Sequence, residues 1–188
     1  MVEVSFGEGS ELRSIGGSAF WHSGIREIVL PEGVESIGGS AFMGAISLER
    51  VVTGARPPML PRTAFFGLDK SRIELVKPEG SGTAHINAGW GEWILRWREI
   101  GYNVEIYGSR YELSGGVILP DMLGGGHVST IASFAFEGMS EITSVEIQRS
   151  VHIIGSRAFG GNTRVMNVTI PSTAMRSSSQ HKSGGGMM

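Results

Sequence analysis

LGGGHVST at 123–130 is the most tempting chemical motif in the chain. Consecutive glycines beside His127 could present backbone N–H groups to an anion. The lysine and hydroxyl residue of a phosphate loop are missing, however, and nothing places the stretch at a helix start, so it reads as a loop insertion. The histidines at 22, 85, 127, 152 and 181 are scattered and form no H-x-x-x-H metal pair. His22 and His127 fall in loops and His152 between two apolar positions, which fits solvated or hydrogen-bonded roles. Aspartate occurs only at Asp69 and Asp121, each beside turn residues, a poor basis for a carboxylate pair or a triad. There is no cysteine, hence no disulfide, no thiolate zinc ligand and no thiol nucleophile. No catalytic, metal or cofactor residue is expected, and no cofactor.

Aromatic residues offer a different chemistry. In WGEWILRWREI, the residues Trp90, Trp93, Ile94 and Trp97 fall at i, i+3, i+4 and i+7, one face of a short helix. Exposed, three tryptophans would stack on a sugar; buried, they would pack against the irregular middle of the chain, which is the more ordinary use. Asn167-Val168-Thr169 is an N-glycosylation triplet, meaningful only in a host that secretes and glycosylates the protein.

Composition narrows the partner classes. Apolar residues make up 40% and charged residues 18%, a globular balance. The net charge is −2 with both signs interspersed, whereas a nucleic-acid binder carries a basic face. Nucleic acid is therefore not an expected partner. No apolar run approaches the ~18 residues of a membrane span. The opening MVEVSFGEGSEL lacks both a basic and an apolar region, so no secretory signal is read in it. Glycine is abundant, at 29 of 188 residues, which calls for many tight turns.

The elements that would position any site are written as a repeat. IGGSAF stands at 15–20 and again at 37–42, with looser copies IASFAF at 131–136 and IGSRAF at 154–159. Phe20, Phe42 and Phe65 are spaced by 22 and 23 residues, and Phe136 and Phe159 by 23. IREIVLP (25–31), LERVVTG (48–54), ITSVEIQ (142–148) and VMNVTIP (165–171) move in step with them. So do Val34 and Ile37, Val128 and Ile131, and Val151 and Ile154. A fixed period in the twenties indicates a solenoid. The I-x-I alternation makes a short strand with one face inward, and the proline after it ends the strand. Val-x-x-Ile-Gly returns across the other side, and Ala-Phe fits a one-turn helix with phenylalanine filling the gap between coils. A single coil buries too little apolar surface to offset its chain entropy, so the unit must stack.

IREIVLPEGVESIGGSAFMGAISLERV resembles the BspA-like (Treponema pallidum-type) leucine-rich repeats, with I-x-I-P followed by V-x-x-I-G-x-x-A-F. The family's cysteine a few residues later is replaced in AFWHSG, AFMGAI, AFEGMS and AFGGNT. ARPPMLPRTAFFG and the following IELVKPEGSGTAHINAGWGEW (55–93) look like the segment that closes such arrays, departing at Lys77 and at His85, where an aromatic is usual. The resemblance covers roughly 4–93 and 115–173. It implies an α/β leucine-rich repeat solenoid of short parallel strands with one-turn helices and a period of about 23.

The expected organisation is a first array over 2–76, a cap-like irregular segment with the tryptophan helix over 77–103, a second array over 104–175 and a disordered tail over 176–188. DMLGGGH bulges where other coils have two or three residues. The outward strand positions Glu27, Val29, Arg50, Val52, Ser144, Glu146, Asn167 and Thr169 form a ladder typical of solenoid binding faces. The resemblance implies a non-enzymatic binding module, on the cell surface or secreted, that engages a protein or matrix ligand in adhesion. An intracellular structural scaffold and carbohydrate binding through the tryptophans are the alternatives. Both ends lack a polar cap, which favours self-association through them.

Overall fold

The computed structural model describes residues 3–7 and 9–170. In its first half each coil contributes one strand to a front sheet. These strands are β1 (Glu3–Val4), β3 (Glu27–Val29), β5 (Arg50–Val52) and β6 (Glu74–Val76), paired in parallel in the order β1-β3-β5-β6. Ile28, Val51 and Leu75 lie in register and point inward, the first two with no exposed surface. On the return side β2 (Ser14–Ile15) pairs in parallel with β4 (Ser36–Ile37), and Ser36 bridges onward to Met59. The expected leucine-rich repeat solenoid is thus present, with little helix.

The one-turn helices expected at the Ala-Phe pairs are realised as consecutive hydrogen-bonded turns. Ser18, Ser40, Phe134 and Arg157, each immediately before Ala-Phe, adopt the left-handed conformation, with φ of 58°, 56°, 63° and 53°. That bend lets the backbone bond outward to the neighbouring coil. Phe20 N–H donates to Ala41 O at 2.7 Å, Phe42 N–H to Ala64 O at 2.8 Å and Phe136 N–H to Ala158 O at 2.7 Å. The phenylalanine rings stack along the axis, Phe20 on Phe42 at 5.3 Å, Phe42 on Phe65 at 4.6 Å and Phe136 on Phe159 at 5.3 Å. Phe42, Phe65 and Phe136 are buried, while Phe20 and Phe159 are half-buried because each has a ring neighbour on one side only. The glycine after isoleucine has a specific cause at Gly38: a Cβ there would lie 2.4 Å from the Gly17 amide nitrogen. Close approach of the adjacent coil, rather than the bend itself, requires it.

The middle departs from the repeat. Two short helices, α1 (Gly82–His85) and α2 (Gly91–Ile94), flank a wider turn at Ile86–Trp90. The helix face expected to carry Trp97 stops at Ile94. Leu95 turns to extended backbone, and β7 (Leu95–Ile100) runs antiparallel to β8 (Asn103–Ser109) across the two-residue connection Gly101–Tyr102. Hairpin pairing of RWREI with VEIY wins over helical continuation because it satisfies a row of backbone groups at once. Trp97 therefore sits on a strand.

Beyond β8 the coils resume. The front sheet here is β9 (Gly115–Ile118), β12 (Ile142–Glu146) and β14 (Asn167–Thr169), all parallel. The return side is β8, β11 (Gly126–Ile131) and β13 (Ile153–Ile154), also parallel. The GGGH stretch is not a plain loop. β10 (Met122–Leu123) pairs antiparallel with the start of β11, and Gly124 and Gly125 make the turn with φ of 56° and 93°. Two successive positive φ values are the signature of a tight hairpin turn that favours glycine. The front ladder is interrupted between β6 and β9. In the gap, Asn87 acts as a surrogate strand residue: its amide donates to Gly116 O at 2.8 Å and accepts from Ile118 N–H at 2.9 Å. The tail over 176–188 and the end of the second array lie outside the described residues.

Candidate binding surfaces

The outward strand positions fall into two separate groups. On the first front sheet Glu27, Arg50 and Glu74 stand side by side in register, with Val29, Val52 and Val76 as a second row. Arg50 donates to Glu27 at 2.9 Å and approaches Glu74 at 3.3 Å, so one guanidinium serves two carboxylates and the row keeps a net negative charge. The three valines are half-buried and make an apolar strip beside it. On the second front sheet Gly116, Ser144 and Asn167 are aligned, as are Ile118, Glu146 and Thr169. Glu146 accepts from the Gln148 amide at 3.1 Å. The structure therefore brings together Glu27, Val29, Arg50 and Val52, and separately Ser144, Glu146, Asn167 and Thr169. It does not join the two sets in one ladder. Glu74 and Val76 belong to the first set as well; the lysine in place of proline after IELV hid their place in the repeat.

Trp90 and Trp93 are core. Trp90 has no exposed surface and Trp93 is 6% exposed. Their indole N–H groups donate to Pro58 O at 2.9 Å and Ile73 O at 3.2 Å. Both rings cover Phe65, Trp93 edge-on at 5.1 Å and Trp90 at 6.1 Å, and Trp97 is half-buried. Burial takes Trp90 and Trp93 out of sugar stacking: Phe65, last of its ring stack, needs the cover that a fourth coil would supply.

The histidines divide by environment. His85 is fully buried, with Nδ1 2.8 Å from Ser81 O and Nε2 2.7 Å from Thr53 Oγ1. A carbonyl only accepts, so Nδ1 carries the proton and Nε2 accepts from the threonine hydroxyl. Burial pushes the imidazole below its ordinary pKa, with the Ser81 bond opposing and the nearby Lys77 charge reinforcing the shift. Lys77, itself lowered mainly by burial, lies 3.9 Å from the Tyr111 ring centroid. His127 approaches Asp121 at 3.5 Å, both exposed. His181 lies outside the described residues. Among the described residues no three His, Asp or Glu side chains converge as a metal site, and no helix is long and apolar enough to cross a membrane.

One surface was invisible in the repeat pattern. Between the loop 62–75, the α2–β7 segment and the Gly124–Gly125 turn lies an open cleft of about 1080 Å³. A second, more apolar cleft of about 360 Å³ adjoins it and reaches Ile118, Pro120 and Met122. Residues from three distant segments form it, and no local spacing announces such a convergence.

Parallel coils of fixed period, a ring stack at their backs and an outward strand ladder define a leucine-rich repeat protein-interaction module. Residues 3–77 and 123–181 match the BspA type Leucine rich repeat region in six copies, and the chain belongs to that family. No curated protein matches the chain. Among solved structures it is similar to the T. pallidum leucine rich repeat protein TpLRR, with 24% identity over 43% of this chain and 38% of that one and a TM-score of 0.41. It is also similar to the pneumococcal vaccine antigen PcpA, with 18% identity over 89% of this chain and 45% of the other and a TM-score of 0.34. A leucine rich cell surface protein from Faecalibacterium prausnitzii shows 15% identity over 90% and 55%, with a TM-score of 0.35. The chain spans at most about half the length of these proteins.

Proposed function

We propose that this chain is a non-enzymatic binding module that captures a protein or matrix ligand on its first strand face, in a cell-surface or secreted adhesive role. The observation that carries the reading is the Glu27–Arg50–Glu74 row beside the Val29–Val52–Val76 strip. Parallel pairing holds these side chains about 4.8 Å apart on a rigid backbone, so little entropy is lost when a ligand docks. Residues 77–103 serve as a closure, with Trp90 and Trp93 covering the last ring of the first stack. The second face, with Ser144, Glu146, Asn167 and Thr169, is an additional contact surface of the same kind.

The test is a purified-chain binding array of matrix proteins and glycans. Specific protein capture is expected, lost in Arg50→Glu/Val52→Glu and kept in Arg164→Glu, whose side chain is far from this row in sequence. Capture that survives the double substitution, or capture of glycans alone, would remove the strand face from the proposal. Surface labelling of intact source cells separates the adhesive role from an intracellular scaffold.

A further inference from the structure

We infer that the junction between the two runs of coils holds a second binding site, beside the strand faces, for an acidic peptide segment carrying one apolar anchor residue. The larger cleft is lined by Arg62, Lys70, Arg72 and Arg110 on the cationic side and by Asp69, Glu74 and Glu92 on the anionic side. Most of the negative charge is already engaged. Lys70 pairs with Glu92 at 2.7 Å, and Glu74 pairs with Arg50 at 3.3 Å. Asp69 accepts from Ser71 N–H at 3.1 Å and from the Ser71 hydroxyl at 2.6 Å. Arg62, Arg72 and Arg110 are exposed and have no ion-pair partner among the described residues, so the cleft lining carries more unpaired positive than negative charge.

That excess of positive charge exists in a chain whose net charge is −2. Guanidinium groups bind carboxylates through paired, planar hydrogen bonds, which suits the side chains of aspartate and glutamate. Exposed aromatic surface is also present: Phe66 is 60% and Tyr111 38% exposed. The adjoining apolar cleft shares Arg62, Lys70, Glu92 and Trp93 with the cationic one, so the Lys70–Glu92 pair forms a wall common to both. Its far side is Ile118, Pro120 and Met122. A sulfated glycan would satisfy the arginines and leave the apolar cleft empty. An acidic peptide with a leucine, methionine or phenylalanine beside its carboxylates fills both.

The experiment uses the full chain and a fluorescein-labelled decapeptide library. Each peptide has four Asp or Glu residues around one variable position, and binding is read by anisotropy. Peptides with an apolar residue at that position should bind, with affinity falling as salt rises. Reversing the three guanidinium charges in Arg62→Glu/Arg72→Glu/Arg110→Glu should weaken binding about tenfold or more. Arg110→Ala alone gives a smaller loss and guards against misfolding of the triple variant, and Arg164→Glu, at a residue that pairs with Glu141 and lines neither cleft, should leave peptide binding unchanged. The inference is overturned if no library peptide binds, if the apolar position has no effect, if the arginine variants bind as well as wild type, or if a heparin fragment binds and the peptides do not.

Discussion

Phe42→Ala is the most direct probe of how this chain holds together. The Phe42 ring has no exposed surface and lies between Phe20 at 5.3 Å and Phe65 at 4.6 Å. Removing the ring forfeits the transfer free energy of a buried aromatic, about 1.5–3 kcal/mol. The space left behind adds to this. A void of about 80 Å³ at ~24 cal/mol per Å³ costs roughly 2 kcal/mol if the surroundings fail to close. They are pinned against closing, because Phe20 N–H and Phe42 N–H are bonded to Ala41 O and Ala64 O on the adjoining coils. The two terms together give about 3.5–5 kcal/mol. Phe20 is half-buried and stacks on one side only, so Phe20→Ala should cost about half as much, roughly 1.5–2.5 kcal/mol. Equilibrium urea unfolding measures both, followed by tryptophan emission, since Trp90 and Trp93 touch Phe65 at the end of the same stack. A Phe42→Ala loss below about 1 kcal/mol, or a Phe20→Ala loss as large as that of Phe42→Ala, would show that ring stacking and burial do not set the stability of these coils.

Three further outcomes follow from the same structure. Because burial holds the His85 pKa below its ordinary 6.5, the unfolded chain binds the extra proton first. Stability should be complete above pH 6.5 and decline as pH falls below it, and His85→Gln should flatten that decline in melts recorded across the range. Ser40 sits at φ 56°, where a non-glycine residue carries strain of about 1–2 kcal/mol. Ser40→Gly should therefore raise the unfolding free energy from urea melts by up to ~1 kcal/mol after glycine's added unfolded-state freedom, and Ser40→Val should lower it; the reverse order would deny the left-handed bend. Ile153, Ile154, Met166 and Val168 are 57%, 42%, 83% and 45% exposed on the last described coils. We propose that these exposed side chains drive self-association, which sedimentation velocity should detect and Ile153→Lys/Val168→Lys should abolish; a concentration-independent monomer would count against it.

The repeat was legible in the sequence because it is set by local chemistry. An I-x-I alternation followed by proline specifies a short strand whatever surrounds it, and the 22- and 23-residue spacing of Phe20, Phe42 and Phe65 places equivalent side chains above one another. Outward positions such as Glu27 and Arg50 follow from the same alternation, and the two stand side by side in parallel register. Long-range pairing settled the outcome where local preferences are balanced. WILRWREI satisfies a helical period as well as a strand, and pairing with β8 settled it as a helix ending at Ile94 and a strand from Leu95. The same balance governed GGGH, where antiparallel pairing of Met122 with His127 turned a glycine run into a hairpin. Identical residue types also ended with different exposure: Ile37 is 3% exposed and Ile154 42%, because burial in a solenoid depends on having a neighbour on the far side. The tryptophans, the buried His85 and the arginine-lined cleft belong to this second kind of information. Each is built from segments roughly 20 to 50 residues apart, such as Trp93 with Ile73 and Arg62 with Arg110, which only chain folding brings together.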